Sequence, residues 1–207
     1  MTTDIDAAEL HRRLSVLDTH LAGSAGLFDR YLPLELGPPA ESAALESTER
    51  ALGVELPAPL RGFLLEHAGS GRFGYLLRSE HEADRDADYG GADGGFELLD
   101  PERMRRDHAR IRRTTLGPGE SWPFVPFVKD PNETTWLCVV RTPEGDRIAH
   151  VFHDEAVEEA ERWSLDGFFD AWSAAGFRTG PRWEDQPDAI VERFREALGI
   201  VEPVDPE

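Results

Sequence analysis

Forty-one acidic residues against 22 basic ones leave this 207-residue chain at a formal charge of −19; as a whole it repels nucleic acid and anionic membrane, would attract a basic protein, and gains solubility from the same acidity. Its 40% hydrophobic content, with 11 Phe and 5 Trp, supplies a core for one domain with extensions or for two small ones. A single cysteine, Cys138, excludes an intramolecular disulfide framework, and with no signal-peptide pattern in MTTDIDAAEL and no apolar run of spanning length, a reduced, soluble, cytoplasmic protein is expected.

Residues 4–22 read as a helix, because Leu10, Leu14, Leu17 and Leu21 recur at the spacing of one helical face. LFDRYLPLELGPP follows as an extended or irregular stretch, since Pro33, Pro38 and Pro39 break helices. Leu45, Thr48 and Leu52 mark the next helical stripe, and Gly53 is its natural stop. Leu56-Pro57-Ala58-Pro59 starts a further helix, with Leu60, Phe63, Leu64 and His67 on one face and Gly69 and Gly71 as its end. Arg72–Arg78 is a strand candidate. Ser79–Gly95 is expected to be a mobile acidic loop, having many acids and glycines and few apolar groups to bury.

Phe96–Leu99 reads as a strand, and Asp100-Pro101 supplies an N-cap and first-turn proline for an arginine-rich helix to about Arg113. Met104, His108 and Ile111 form its apolar side. Trp122–Val128 contains Pro123 and Pro126 and is therefore expected at a sheet edge. Thr134–Thr142 is the strongest strand and should be central. Pro143–Asp146 turns the chain back into Arg147–Phe152. Ser164 is expected to cap a helix bearing Leu165, Phe168, Phe169 and Trp172, ended by Gly176. Asp188–Leu198 is a last helix, with Ile190, Val191, Phe194 and Leu198 inward. Short turns between most strands point to an α+β domain with a largely antiparallel sheet.

No arrangement of reactive side chains stands out. His150 and His153 would point to opposite faces of a strand, which is poor geometry for one ion. Asp84, Asp86 and Asp88 alternate as in calcium loops, but the rest of that spacing fails. There is no nucleophile elbow and no phosphate loop. Arg103, Arg106, Arg110 and Arg113 share one helix face, which in so acidic a chain is expected to pair with its own acids, Asp107 among them.

LESTERALGVELPAPLRGFLLEHAGSG resembles the opening signature of the SUKH superfamily, in its Smi/Knr-like branch. WPFVPFVKDPNETTWLCVV, DRIAHVFHDE and WSLDGFFDAW are similar to later pieces of the same family, in the same order. Ala68-Gly69-Ser70-Gly71 departs from the Asn-Gly usual after the second helix, and Ser79–Gly95 resembles an insertion. The resemblance implies an α+β domain over residues 40–176, with a mostly antiparallel (mixed) sheet flanked by helices. Residues 1–39 and 177–207 would be helical extensions. It also implies binding without catalysis; the residues themselves call for no cofactor or metal. Bacterial members are regarded as immunity proteins that neutralise toxins, and fungal members as regulatory scaffolds. The first role implies a basic toxin domain as partner, held at its active cleft. The acids expected to meet it are Glu80, Glu82, Asp84, Asp86, Asp88 and Asp93 of the loop, with Asp130 and Glu133 before the central strand. A solvated linker with no partner would carry the same loop acids. The alternative role is a scaffold for endogenous signalling or cell-wall proteins.

Overall fold

The computed structural model describes residues 5–23, 28–77, 93–115, 122–130, 135–153, 157, 160–177 and 189–199. In chain order these form α1 (Ala7–Gly23), β1 (Phe28–Leu36), α2 (Ser42–Leu52), α3 (Ala58–Glu66), β2 (Gly71–Leu77) and β3 (Asp93–Leu98). There follow α4 (Pro101–Thr115), β4 (Phe124–Lys129), β5 (Thr135–Thr142), β6 (Gly145–Phe152), β7 (Glu161–Ser164), α5 (Phe168–Ala174) and α6 (Ala189–Leu198). The strands make one sheet in the order of the chain, and each neighbouring pair is antiparallel. The expected α+β class holds, and the described sheet contains no parallel pair.

Local chemistry explains most element ends. Gly53 takes φ +75° at the C-terminus of α2, and its N–H donates to the Glu49 carbonyl at 2.9 Å. Glu49 is buried, and its carboxylate accepts the Leu56 N–H at 2.9 Å and Arg61 Nε at 3.4 Å. One side chain thus fixes the turn from α2 into α3. Asp100 caps α4 by accepting the Arg103 N–H at 2.8 Å. The β5–β6 hairpin closes Thr142 against Gly145, where φ is +120°.

The pleat sends alternate residues to opposite faces. Trp136 of β5 meets α4, its Nε1 donating to Asp107 Oδ2 at 3.1 Å. Val139 aligns with Ile148 and then Trp163 on the other face, where Trp163 lies 6.1 Å from Phe168 of α5. On that face Phe127 contacts Phe169 and Trp172, and Phe96 contacts Trp172 and Phe177. α2 packs beside α4 on the first side; α1 contacts α3, α5 and α6. The core therefore lies on both faces of the sheet, with β5 buried except at Arg141.

Four expectations change. Phe124–Lys129 is not an edge strand: it lies between β3 and β5, and every residue in it is buried. The ladder shifts register between Pro126 and Val128, and that irregularity accommodates a proline inside the sheet. The stretch after α1, expected to be extended or irregular, is a true strand, β1, with a register shift between Leu32 and Glu35 that spans Pro33. Ser164 does not cap α5. It ends the unforeseen β7, its Oγ accepts the Asp166 N–H at 3.2 Å, and Gly167 occupies the N-cap position. Finally, α3 ends at Glu66, before the glycines, and Gly71 already belongs to β2.

Candidate partner-binding surface

Antiparallel register decides which strand ends face the same way. It aligns Asp93 with Leu76, Lys129 with both Glu97 and Trp136, Thr135 with Phe152, and Glu161 with His150. β2, β4 and β6 therefore end, and β3, β5 and β7 begin, at one end of the sheet. The segments joining these strand ends are residues 78–92, 130–134 and 153–160. In sequence they carry Glu80, Glu82, Asp84, Asp86 and Asp88, then Asp130 and Glu133, then Asp154, Glu155, Glu158 and Glu159.

Of the eight acids singled out above, Glu80, Glu82, Asp84, Asp86, Asp88 and Glu133 lie outside the described residues. Asp93 opens β3, so the strand starts three residues earlier than Phe96. Asp130 follows β4 and is half-buried. Its N–H donates to the Thr135 carbonyl at 3.0 Å, and its carboxylate accepts Thr135 Oγ1 at 3.5 Å. Asp93 and Asp130 thus lie toward the same end of the sheet, but the register sets Asp130 level with Phe96, three residues short of Asp93. Glu161, exposed at the start of β7, is near the level of Asp130, in the row of Leu98 and Val128. Sequence reading missed it because β7 was not recognised; the signal available was the lone Trp163 in a polar stretch beside the β6 pattern.

The described cations are largely committed within the molecule. Register sets Glu35, Arg72, Glu97, Lys129 and Trp136 in one row across five strands. Arg72 pairs with Glu35 at 2.8 Å, and Arg103 of α4 pairs with Glu97. The hydrogen bond from Arg103 holds the Glu97 carboxyl below its ordinary range against the opposing effect of burial, with Lys129 and Arg72 adding to it. Arg105 donates to Thr48 Oγ1 at 2.8 Å, Arg106 lies 3.6 Å from Asp107, and Arg110 sits over the Trp136 ring at 5.4 Å. The arginines of α4 therefore fasten that helix to β3, α2 and β5. Arg13, Arg61 and Arg141 are likewise ion-paired. Unbalanced charge on this protein is acidic.

Other reactive types are placed without converging. His150 is buried in β6, whereas His153 follows the strand and is exposed. Cys138 is fully buried, and burial pushes its thiol well up. Among the described residues no group of three or more His, Cys, Asp or Glu could hold a metal ion, and no helix is long and apolar enough to cross a membrane.

His108 packs 4.4 Å from Phe124. Burial, with Arg112 adding, lowers its pKa to about 4. The folded state thus favours the neutral ring, so this contribution is complete above the unfolded value of about 6.5 and is lost as pH falls from there to about 4. His108→Phe should reduce the acid-induced loss of stability across that window. The difference should be on the order of 1 kcal/mol, allowing for solvent screening of a partly exposed ring. Urea midpoints at pH 7.5 and pH 4.5 measure it; an unchanged pH slope would remove His108 from the account.

A model of the SMI1 / KNR4 family (SUKH-1) matches residues 39–171, well over half of the chain. The match runs from just before α2 into α5, so α1, β1 and α6 lie outside it. No curated protein matches the chain.

Proposed function

Because the chain belongs to the SMI1 / KNR4 family (SUKH-1), we propose that it is a protein-binding domain without catalytic chemistry, acting in the cytoplasm as an immunity protein that occludes the active cleft of a toxin. In this reading residues 40–176 form the binding domain, with 1–39 and 177–207 as extensions. The partner is a basic toxin domain. The observation that carries this reading is that the strand ends joined by three acid-bearing segments face the same way along the sheet, in a protein where Arg13, Arg61, Arg72, Arg103 and Arg141 are ion-paired internally. Such an arrangement concentrates negative potential where a cationic substrate groove can dock, and long-range attraction accelerates association.

The contact residues proposed are Glu80, Glu82, Asp84, Asp86, Asp88, Asp93, Asp130 and Glu133, together with Glu161. Replacing Glu80, Glu82, Asp84, Asp86 and Asp88 by their amides should slow association with the toxin about tenfold or more at low salt, and should flatten its dependence on ionic strength. Surface plasmon resonance across a salt series reads both quantities. An affinity and salt slope equal to those of the unmodified protein would place the contact elsewhere.

A further inference from the structure

We propose that the contact between α1 and α3 is an acid-sensitive latch: His11 and His67 hold α1 down while both are neutral and release it when both are protonated. The two imidazoles stack face to face, with centroids 4.5 Å apart and planes 2° from parallel. Phe63 packs against both, at 6.2 and 5.8 Å. The helices are also close at Gly62, where an added Cβ would come within 3.0 Å of the Ala7 methyl. Stacking at that distance is favourable between neutral rings and repulsive between two cations.

Counter-charge for an imidazolium is scarce at this contact. Nε2 of His67 is buried with no hydrogen-bond partner among the described residues, and so is Nε2 of His20 further along α1. The carboxylates on and around α1 are already committed. Glu9 accepts from Arg12 at 2.6 Å and Arg13 at 2.9 Å. Asp170 of α5 is 2.7 Å from Arg13. Asp18 accepts from the Tyr31 hydroxyl at 2.6 Å and from the Leu34 N–H of β1 at 2.9 Å. Asp6 accepts the Glu9 N–H at the start of the helix. On α3, Arg61 adds a cation held by Glu49, and Glu66 is exposed. On α6, Arg195 adds a further cation whose Nε is buried without a partner among the described residues, and Glu196 is exposed. Burial and the neighbouring His67 both hold the His11 imidazole toward its neutral form.

The latch joins two parts of different standing. α3 lies inside the segment matched by the family model, and α1 lies outside it. Release would uncover the α3 surface bearing Phe63 and His67 while leaving the sheet paired.

Hydrogen exchange of the full chain, corrected for intrinsic rates, tests this at pH 7.5 and pH 5.0. Exchange across α1 should rise tenfold or more at pH 5.0, with β5 unchanged, and the double variant His11→Gln/His67→Gln should lose that response. Equal protection of α1 at both pH values would overturn the proposal. So would a loss shared equally by α1 and β5, or an undiminished response in the double variant. If that variant does not fold, backbone NMR of the unmodified protein between pH 7.5 and pH 5.0 decides: resonances along α1 and at the α3 contact should move together while those of β5 stay, and unmoved α1 resonances would overturn the latch.

Discussion

Trp136→Ala should destabilise the protein by about 3–5 kcal/mol, the range for removing a large buried aromatic. Trp136 is 1% exposed in the strand at the centre of the buried ladder. Its removal empties core volume between β5 and α4. It also deletes the donor to Asp107, a carboxylate that is itself only 3% exposed. Arg106 remains near that carboxylate at 3.6 Å, but a buried acceptor left without its donor adds about 1–3 kcal/mol in its own right. Arg110 and Lys129, over the ring at 5.4 and 5.9 Å, lose their aromatic face as well. Trp136→Phe separates the contributions, since it keeps much of the volume and drops only the N–H. It should cost about half as much or less. Urea denaturation of the three proteins is the measurement. Equal stability of the Ala and Phe variants would show that packing volume matters little at this site.

Gly95→Ala should be comparably severe, for a backbone reason. Gly95 has φ +128°, a region closed to other residues, and it pairs with Gly74 across β2 and β3. A methyl group there would come within 2.4 Å of the Phe73 carbonyl oxygen and 2.5 Å of the Gly74 Cα. Both obstacles are main chain, so the strands must separate. Backbone strain alone is worth about 1–3 kcal/mol, and lost pairing and packing of Phe73 against Phe96 add to it. Gly23→Ala is the matched control, because nothing lies within 4 Å of the added methyl at the end of α1. It should be neutral or stabilising by less than about 1 kcal/mol. Thermal unfolding distinguishes the two glycines; similar midpoints for both variants would contradict the close approach of β2 to β3.

What could be read in advance was local. The Gly53 stop, the Asp100 cap and the tight return at Gly145 each depend on a few adjacent residues, and each stands as expected. The errors arose where distant chain decides. Pro126 argues locally for an edge, but a register shift between β4 and β5 carries it in the sheet interior. β7 is four residues long with Trp163 as its one buried side chain, and only the neighbouring β6 makes it a strand. Ser164 looked like a cap because the strand it ends was invisible to periodicity. The candidate surface has the same character. Acid-rich stretches were plain in the composition, but that their connections leave one end of the sheet follows from the antiparallel order of β2 to β7, which no short window of sequence encodes.

On the proposal above, this protein binds and silences a basic protein through the acids of the segments that join β2 to β7. Capture from the source cells at low salt, followed by elution with rising salt and assay of what is released, tests it most directly. The prediction is a basic toxin domain that is inactive while bound, regains activity on release, and is not retained by the five-fold amide variant of residues 80–88. Retention of the same protein by that variant, or full toxin activity in the bound state, would contradict it.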